Sequence, residues 1–482
     1  PQTPNYSYTM LPLYLYIVAG FLLAVTVGRM LIPKIILISK KKRILDMPNA
    51  RKVHSSQIPR LGGVAFFPAI MMAYWFVRGL FWQFNTFDAV VPFEDFLFFT
   101  TGLMLICIVG ITDDISGLSY KCKFVFQVVG ALLLVLPYCY IDNLQGLFGL
   151  YAIPAWAGVP FTLLLLVALV NAANLIDGVD GLCSGLGVLI FSVLSLLNLL
   201  AGNAHLALLG ACAVGATLVF FMYNVFGRKL KIFMGDSGSL ILGYIAAFLC
   251  LQLVVGAQHG HTVPHLTLIS LMGVVFVPMA DMTRVFAQRI LSGKSPFTPD
   301  KRHIHHKFLQ LGYTHLQCTL MIVLIQAVYI VGNFLLADRV NINVALLINI
   351  VAMVVLVLSL NARIRRRERA DRADAQPLKL PHRAAPGKEQ TAHRQRPDHV
   401  GKARAVNDRH GVRLAVIRAE LCDHLAPRHA DAHRQPCGIE HALPHRLRRL
   451  QRVLMADAAG HVQPALIHAE RLAPVGEVGI HL

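Results

Sequence analysis

Long apolar runs, broken by short charged or turn-rich connections, constrain this chain more than any other feature. A run of roughly 20 apolar residues is what a helix needs to cross the hydrocarbon of a bilayer. Such runs lie at about 11–33, 61–82, 96–112, 124–141, 159–176, 182–201, 205–224, 238–256, 266–283, 317–337 and 342–360. They predict an all-α, polytopic membrane protein with about eleven transmembrane helices. Composition agrees: 55% of the 482 residues are hydrophobic and only 15% are charged, too apolar for one soluble domain of this length. The first run, about Leu11 to Leu37, is longer than the apolar core of a signal peptide and lacks a small-residue cleavage pattern, so it reads as a retained span.

The net charge of +19 does not point to nucleic acid, because about half of the Lys and Arg lie after Asn361. In the apolar body, basic residues concentrate in alternate loops. One connection carries Lys40, Lys41, Lys42, Arg43, Arg51, Lys52 and Arg60. A second carries Arg228, Lys229 and Lys231, and a third carries Arg284, Arg289, Lys294, Lys301, Arg302 and Lys307. The intervening loops are almost free of Lys and Arg. The positive-inside rule places the basic loops in the cytoplasm. An odd span count then puts the N-terminus outside and the C-terminus inside. The nine Cys show no CxxC pairing and predict neither a disulfide framework nor a structural zinc site.

Four polar clusters fall on the side that the basic loops define, which predicts a single cytoplasmic active site. Asp113 and Asp114 end the third run, in GITDDISGLSYKCK. Adjacent carboxylates at a membrane boundary are costly unless solvated or bound to something positive. Magnesium-assisted handling of phosphate is one reading, with Lys121 as a nearby point charge; a solvated loop with an Asp cap is the other. In NAANLIDGVDGL, Asn171, Asn174 and Asp177 share a helical face, and Asp180 follows a glycine turn. A polar helix–helix contact is the alternative there. In GRKLKIFMGDSGSLILG, Gly235 and Asp236 open an apolar run beside basic residues, suiting a metal and phosphate site or a plain helix cap. In SPFTPDKRHIHHKFLQLGY, Thr298 and Pro299 predict a helix start with Asp300 in its first turn. His303 and His306 then share one face, with His305 pointing elsewhere. Such a basic helix suits a nucleotide diphosphate, with a solvated basic loop as the alternative; the spacing is not that of a zinc site. Asp46 and Arg51, in the first basic connection, are candidates for an anionic lipid head group, or the stretch is only the positive-inside signal.

Taken together, DDISGLSYK, NAANLIDGVDGL, FMGDSGS and DKRHIHHKFLQLG resemble the polyprenyl-phosphate N-acetylhexosamine-1-phosphate transferases, the superfamily of MraY, TagO and WecA. The resemblance covers about residues 11–360, with the motifs in family order, and includes LDMPNARKVHSSQIPRLGG of the first cytoplasmic loop. The HIHH form resembles the WecA branch, where the MraY branch shows a run of three His. The resemblance implies a ten- or eleven-span fold and dependence on Mg2+, with Mn2+ as an admissible substitute. It implies transfer of N-acetylglucosamine-1-phosphate from UDP-GlcNAc to undecaprenyl phosphate with release of UMP. That is a first membrane step in making a cell-surface polysaccharide, at the bacterial cytoplasmic membrane. By the same resemblance Asp236 is the main metal ligand, with Asp113 beside it. Asp113 and Asp114 position or deprotonate the lipid phosphate. Asn174, Asp177 and Asp180 lie near the nucleotide-sugar and metal. Lys121, Gly235, His303, His305 and His306 contact the diphosphate and uridine. Membrane lipids are the remaining expected partners, and a second copy of the chain is allowed.

Other readings fit less well. A prenyl-group transferase would repeat Asp clusters in DxxxD form, which are absent. DGVDGL is similar to the DG element of the CDP-alcohol phosphotransferases, but their following Arg and Asp residues are missing. A transporter predicts inverted repeats and charges deep in spans, whereas the polar groups here gather on one side.

These features assign residues 1–364 to a transmembrane transferase domain. Residues 365–482 form a basic tail rich in His, Arg and Ala, which reads as disordered or as out-of-frame translation.

Overall fold

The computed structural model describes residues 10–46, 58–83, 93–137, 139–258, 266–298 and 300–374. Helices α1 (Met10–Lys41), α2 (Phe66–Gln83), α3 (Phe93–Ser116) and α4 (Tyr120–Val135) come first. Next are α5 (Ala155–Ile176), α6 (Leu182–Leu200), α7 (Ala204–Phe226) and α8 (Gly235–Gln258). The described chain closes with α9 (Leu268–Val274), α10 (Phe276–Leu291), α11 (Ile304–Gln310), α12 (His315–Leu336) and α13 (Ile342–Asp374). Two small antiparallel pairs join them: β1 (Leu45–Asp46) with β2 (Ile58–Pro59), and β3 (Asn143–Leu147) with β4 (Leu150–Ala152).

Among the described residues nine helices are long and apolar enough to cross a membrane, or ten if the broken pair α9–α10 is one span. The sequence predicts about eleven, and the difference has two physical sources. The run at 124–141 is helical only to Val135, so α4 has 16 residues, about 24 Å at 1.5 Å per residue. That is short of a hydrocarbon core of about 30 Å. The run at 266–283 is split at Val275, where α9 and α10 meet at 81°.

Helix α8 is the centre of the bundle. Its residues Ser237 to Leu249 are all buried, and α3, α5 and α6 pack around it. The close fit of α3 begins at Gly110, where a Cβ would collide with the backbone of Ser237. This backbone-to-backbone approach delivers the last turn of α3 to the first turn of α8.

The strand pair β1–β2 sits beside the same end of α8. Pro59 O accepts from Phe233 N at 2.8 Å, and Gly62 N and Gly63 N donate to Phe233 O and Met234 O at 2.9 and 2.8 Å. The hairpin β3–β4 lies at the other end of α5, with Gln145 Oε1 accepting from the first residue of α9, Leu268. Helix α13 continues through residue 364 to Asp374, and the rest of the tail lies outside the described residues. The helix packs beside α11, where Lys307 Nζ donates to Asn361 Oδ1 at 2.6 Å.

Candidate active site

The end of α3, the turn after α5 and the start of α8 converge. Asp114 spends its carboxylate on α8: Oδ1 accepts from Asp236 N and Oδ2 from Ser237 N, both at 2.9 Å. These are N–H groups that a helix start leaves without partners, and a carboxylate there also suits the helix dipole. Gly235, with φ +72°, makes the turn into the helix. The Asp114 side chain is fully buried, with Arg60 Nε 3.5 Å from Oδ1.

Asp113 and Asp236 face a shared cation. Lys123 Nζ lies 3.1 Å from Asp113 Oδ2 and 2.8 Å from Asp236 Oδ2. Asp113 Oδ1 accepts from Leu118 N at 2.6 Å, which fixes the loop between α3 and α4. Lys121, named from the sequence, stands exposed at the start of α4 and makes neither ion pair; Lys123, two residues on, is the lysine at the site. Successive helical residues are about 100° apart, so the two ammonium groups face different ways.

Asn174 also reaches this point. Its Nδ2 donates to Ser239 Oγ at 2.9 Å, which brings its amide beside Asp236. Asn171 instead donates to Gln127 Oε1 at 2.6 Å, which makes it a helix–helix contact. Asp177 and Asp180, three residues apart, have opposite electrostatics. Burial, then the negative charges of Asp236, Asp114 and Asp180, push the Asp177 carboxyl up to about 8. Burial also acts on Asp180, but His315 and Lys231 outweigh it and hold that carboxyl below its ordinary value. Lys231 Nζ and His315 Nδ1 lie 2.7 and 2.9 Å from Asp180 Oδ2.

The histidine segment is held from α10. Asp281 is buried, and its Oδ1 accepts from Arg284 Nη2 at 2.6 Å. Its Oδ2 lies 2.8 Å from His303 Nδ1, and the backbone N–H of Ile304 reaches both oxygens. Helix α11 therefore starts at Ile304 with His303 as its cap, not after Thr298 as the sequence predicts; Pro299 lies outside the described residues. Asp300 is drawn away by Arg289, whose Nε and Nη2 each lie 3.0 Å from one of its oxygens. A bidentate guanidinium pair outcompetes a first-turn position for this carboxylate.

His305 also differs from expectation. It is buried, as His303 is, and points at the acidic turn: a Cβ on Gly178 would collide with its ring. It stacks on His303 at 5.7 Å between ring centroids and touches His306 at 4.3 Å. Burial, with His306 and His303 beside it, pushes the His305 ring down to about 3, so it is neutral at neutral pH. Its Nδ1 is buried without a hydrogen-bond partner among the described residues. Burial also lowers His306. Asp46 lies in β1, beside the strand that leads to Gly62, and Arg51 lies outside the described residues.

The oxygen donors suit a hard divalent cation. Among the described residues no three His, Cys, Asp or Glu side chains form a ready-made cage. Magnesium does not require one, since it takes one or two carboxylates and completes its shell with phosphate and water. The ammonium of Lys123 between Asp113 and Asp236 marks a place where those carboxylates stabilise positive charge.

Comparison with known proteins fits this geometry. The model of glycosyl transferase family 4 matches residues 96–254, the stretch holding all three acidic clusters. The undecaprenyl-phosphate alpha-N-acetylglucosaminyl 1-phosphate transferase of Escherichia coli K12 is 29% identical over 299 residues, 60% of this chain and 76% of that protein. The probable undecaprenyl-phosphate N-acetylglucosaminyl 1-phosphate transferase of Bacillus subtilis is 32% identical over 326 residues, 66% of this chain and 85% of that protein. The Yersinia pestis protein named like the first is 30% identical over 288 residues, 59% and 74% of the two chains. The chain belongs to the polyprenyl-phosphate N-acetylhexosamine-1-phosphate transferase superfamily, on its WecA-like branch.

Proposed function

We propose that this protein transfers N-acetylglucosamine-1-phosphate from UDP-GlcNAc to undecaprenyl phosphate at the cytoplasmic face of the bacterial inner membrane. An oxygen of the lipid phosphate attacks the β-phosphorus of UDP-GlcNAc. The bond from that phosphorus to the bridging oxygen breaks, and UMP leaves with the electron pair. The observation that carries this reading is the junction of Asp113, Lys123 and Asp236 at the meeting of three helices.

Asp236 and Asp113 would hold Mg2+, or Mn2+ in its place. When bound, the ion supplies positive charge against the repulsion of two anionic substrates and the charge growing on the leaving phosphate. Lys123 neutralises the same carboxylates and offers its ammonium to a diphosphate oxygen. Asp114 fixes the start of α8 and thereby the direction of Asp236. Asn174 orients Asp236 from α5, and a protonated Asp177 can donate a hydrogen bond where an ionised carboxylate would repel phosphate. Asp180 ties the turn to Lys231 and His315, so its role is to position. His305 turns its Nε2 edge to the acidic turn at Gly178, and with His306 and His303 it forms the side for the nucleotide.

A cavity of about 500 Å3 between α5, α8, α10 and α13 suits the isoprenoid chain. Its walls are mostly Leu, Ile, Val and Met side chains, and Arg284 is among the lining residues, a cation that could meet the phosphate at the end of an apolar tail. UMP release by purified protein tests the reading, comparing UDP-GlcNAc, UDP-GalNAc and UDP-MurNAc-pentapeptide with undecaprenyl phosphate and Mg2+. Release with UDP-GlcNAc that is lost in Asp236→Ala supports it. Release with another donor alone corrects the substrate, and none with any donor from folded protein overturns it.

A further inference from the structure

The break between α9 and α10 has a cause in the sequence and a partner in space. Pro278 has no N–H to give the carbonyl of Val274, four residues back, and its ring clashes with that carbonyl in a continuous helix. The chain bends by 81° at Val275 instead. Such a break inside an apolar bundle strands backbone polar groups away from water, which is costly for each one.

Gln326 of α12 meets them. Its side chain is buried, its Oε1 accepts from Val277 N at 3.0 Å, and its Nε2 donates to Gly273 O at 2.7 Å and Val274 O at 3.0 Å. In an unbroken helix Gly273 O and Val277 N–H would bond each other. The amide is inserted between those two groups, as in kinks where a side chain enters the helical ladder. Its second N–H serves the one carbonyl that Pro278 leaves without a donor. The rest of the α12 face continues the contact: Asn333 lies against Gly273, and the Tyr329 ring packs on Phe276 at 4.5 Å.

The same break shapes the apolar cavity. Leu268 and Leu271 line it from before the bend; Phe276, Met279, Thr283 and Arg284 line it from after. Straightening the pair would move one set relative to the other.

We propose that Gln326 is a positioning residue for the acceptor: by holding the α9–α10 bend it sets the fit of the cavity to the isoprenoid chain. The proposal rests on the reading of that cavity as the seat of undecaprenyl phosphate. Gln326→Leu keeps an apolar volume and removes all three hydrogen bonds. The full chain, reconstituted in nanodiscs, is assayed for UMP release while each substrate is varied in turn. The expected result is a KM for undecaprenyl phosphate raised about tenfold, with the KM for UDP-GlcNAc changed less than about twofold. Gln326→Glu, which in its protonated form restores an acceptor and one donor, should fall between the two. Parallel rises in both KM values, or no change in either, would overturn the proposal. Should Q326L fail to fold, Q326E decides: a raised acceptor KM with an unchanged donor KM supports the role, and an unchanged acceptor KM removes it. Wild-type protein that releases no UMP overturns the transferase reading and this inference with it. A wild-type enzyme that works while the variants match it overturns the inference alone.

Discussion

Oδ1 of Asp114 accepts the backbone N–H of Asp236 at 2.9 Å, across 122 residues of sequence. The first of the paired carboxylates at the end of α3 therefore faces the site, while the second serves as the cap of α8. Asp114→Ala leaves two N–H groups in a buried place without partners. Loss of such a cap costs about 1–2 kcal/mol. Thermal unfolding in detergent should show that loss together with a fall in transfer activity, and Asp114→Asn, which keeps one acceptor, should lie between.

Lys123 and Lys121 make a paired test of which lysine serves the site. Lys123→Met should lower UMP release on the order of a hundredfold, the scale for losing one preorganised charge at a reacting phosphate. Lys121→Met should change it only slightly, because its side chain is exposed at the start of α4. Equal effects of the two variants would remove Lys123 from the site.

The Asp177 carboxyl, pushed up to about 8, gives stability a definite pH dependence. Its ordinary value is near 4, so between about 4 and about 8 the folded state holds a proton that the unfolded chain has released. Its contribution to stability therefore falls as pH rises through that window. The melting midpoint without divalent cation should drop from pH 6 to pH 9, and Asp177→Asn, which cannot ionise, should flatten that drop. An unchanged profile in the variant would assign the dependence to other groups.

Asp281 binds Arg284, His303 and the start of α11 from a buried position. Removing one member of a buried ion pair strands the other, typically at about 3–5 kcal/mol. Asp281→Ala should lose stability on that scale in chemical unfolding, and transfer activity should fall further than in His306→Ala, since α11 loses its anchor.

Chelation separates fold from chemistry. The described residues hold no cage that needs a metal to close it, so EDTA should abolish UMP release while leaving helical circular dichroism unchanged. Mg2+, and to some degree Mn2+, should restore the activity.

The span ends were readable from sequence because carboxylates at a membrane boundary have few uses. Asp113 and Asp236 share Lys123, and Asp177 lies near enough to feel the charge of Asp236. What stayed hidden depends on rotation and on tertiary partners. Nothing in YKCK says which lysine faces inward until the start of α4 at Tyr120 sets the phase. His305 faces the acidic turn because Asp281 moves the start of α11 to Ile304, and a single Asp in PMADMTR gives no local sign of that. Pro278 did carry a signal for the broken span, since proline inside an apolar helical run breaks or kinks it. Its bend angle depends on Gln326, 48 residues further on.

Ile350 and Val354 line the apolar cavity from α13, yet each keeps 48% of its surface exposed along a membrane-spanning helix. With α13 crossing the membrane, that wall of the cavity would meet acyl chains rather than water. On the proposed reading of the cavity, an acceptor seated there would enter sideways without crossing an aqueous phase. Its working concentration is its mole fraction among the lipids, so diluting the bilayer with inert phospholipid slows turnover at a fixed total amount of acceptor. The nucleotide-sugar obeys bulk molarity throughout, and one enzyme thus answers to a two-dimensional and a three-dimensional supply at once.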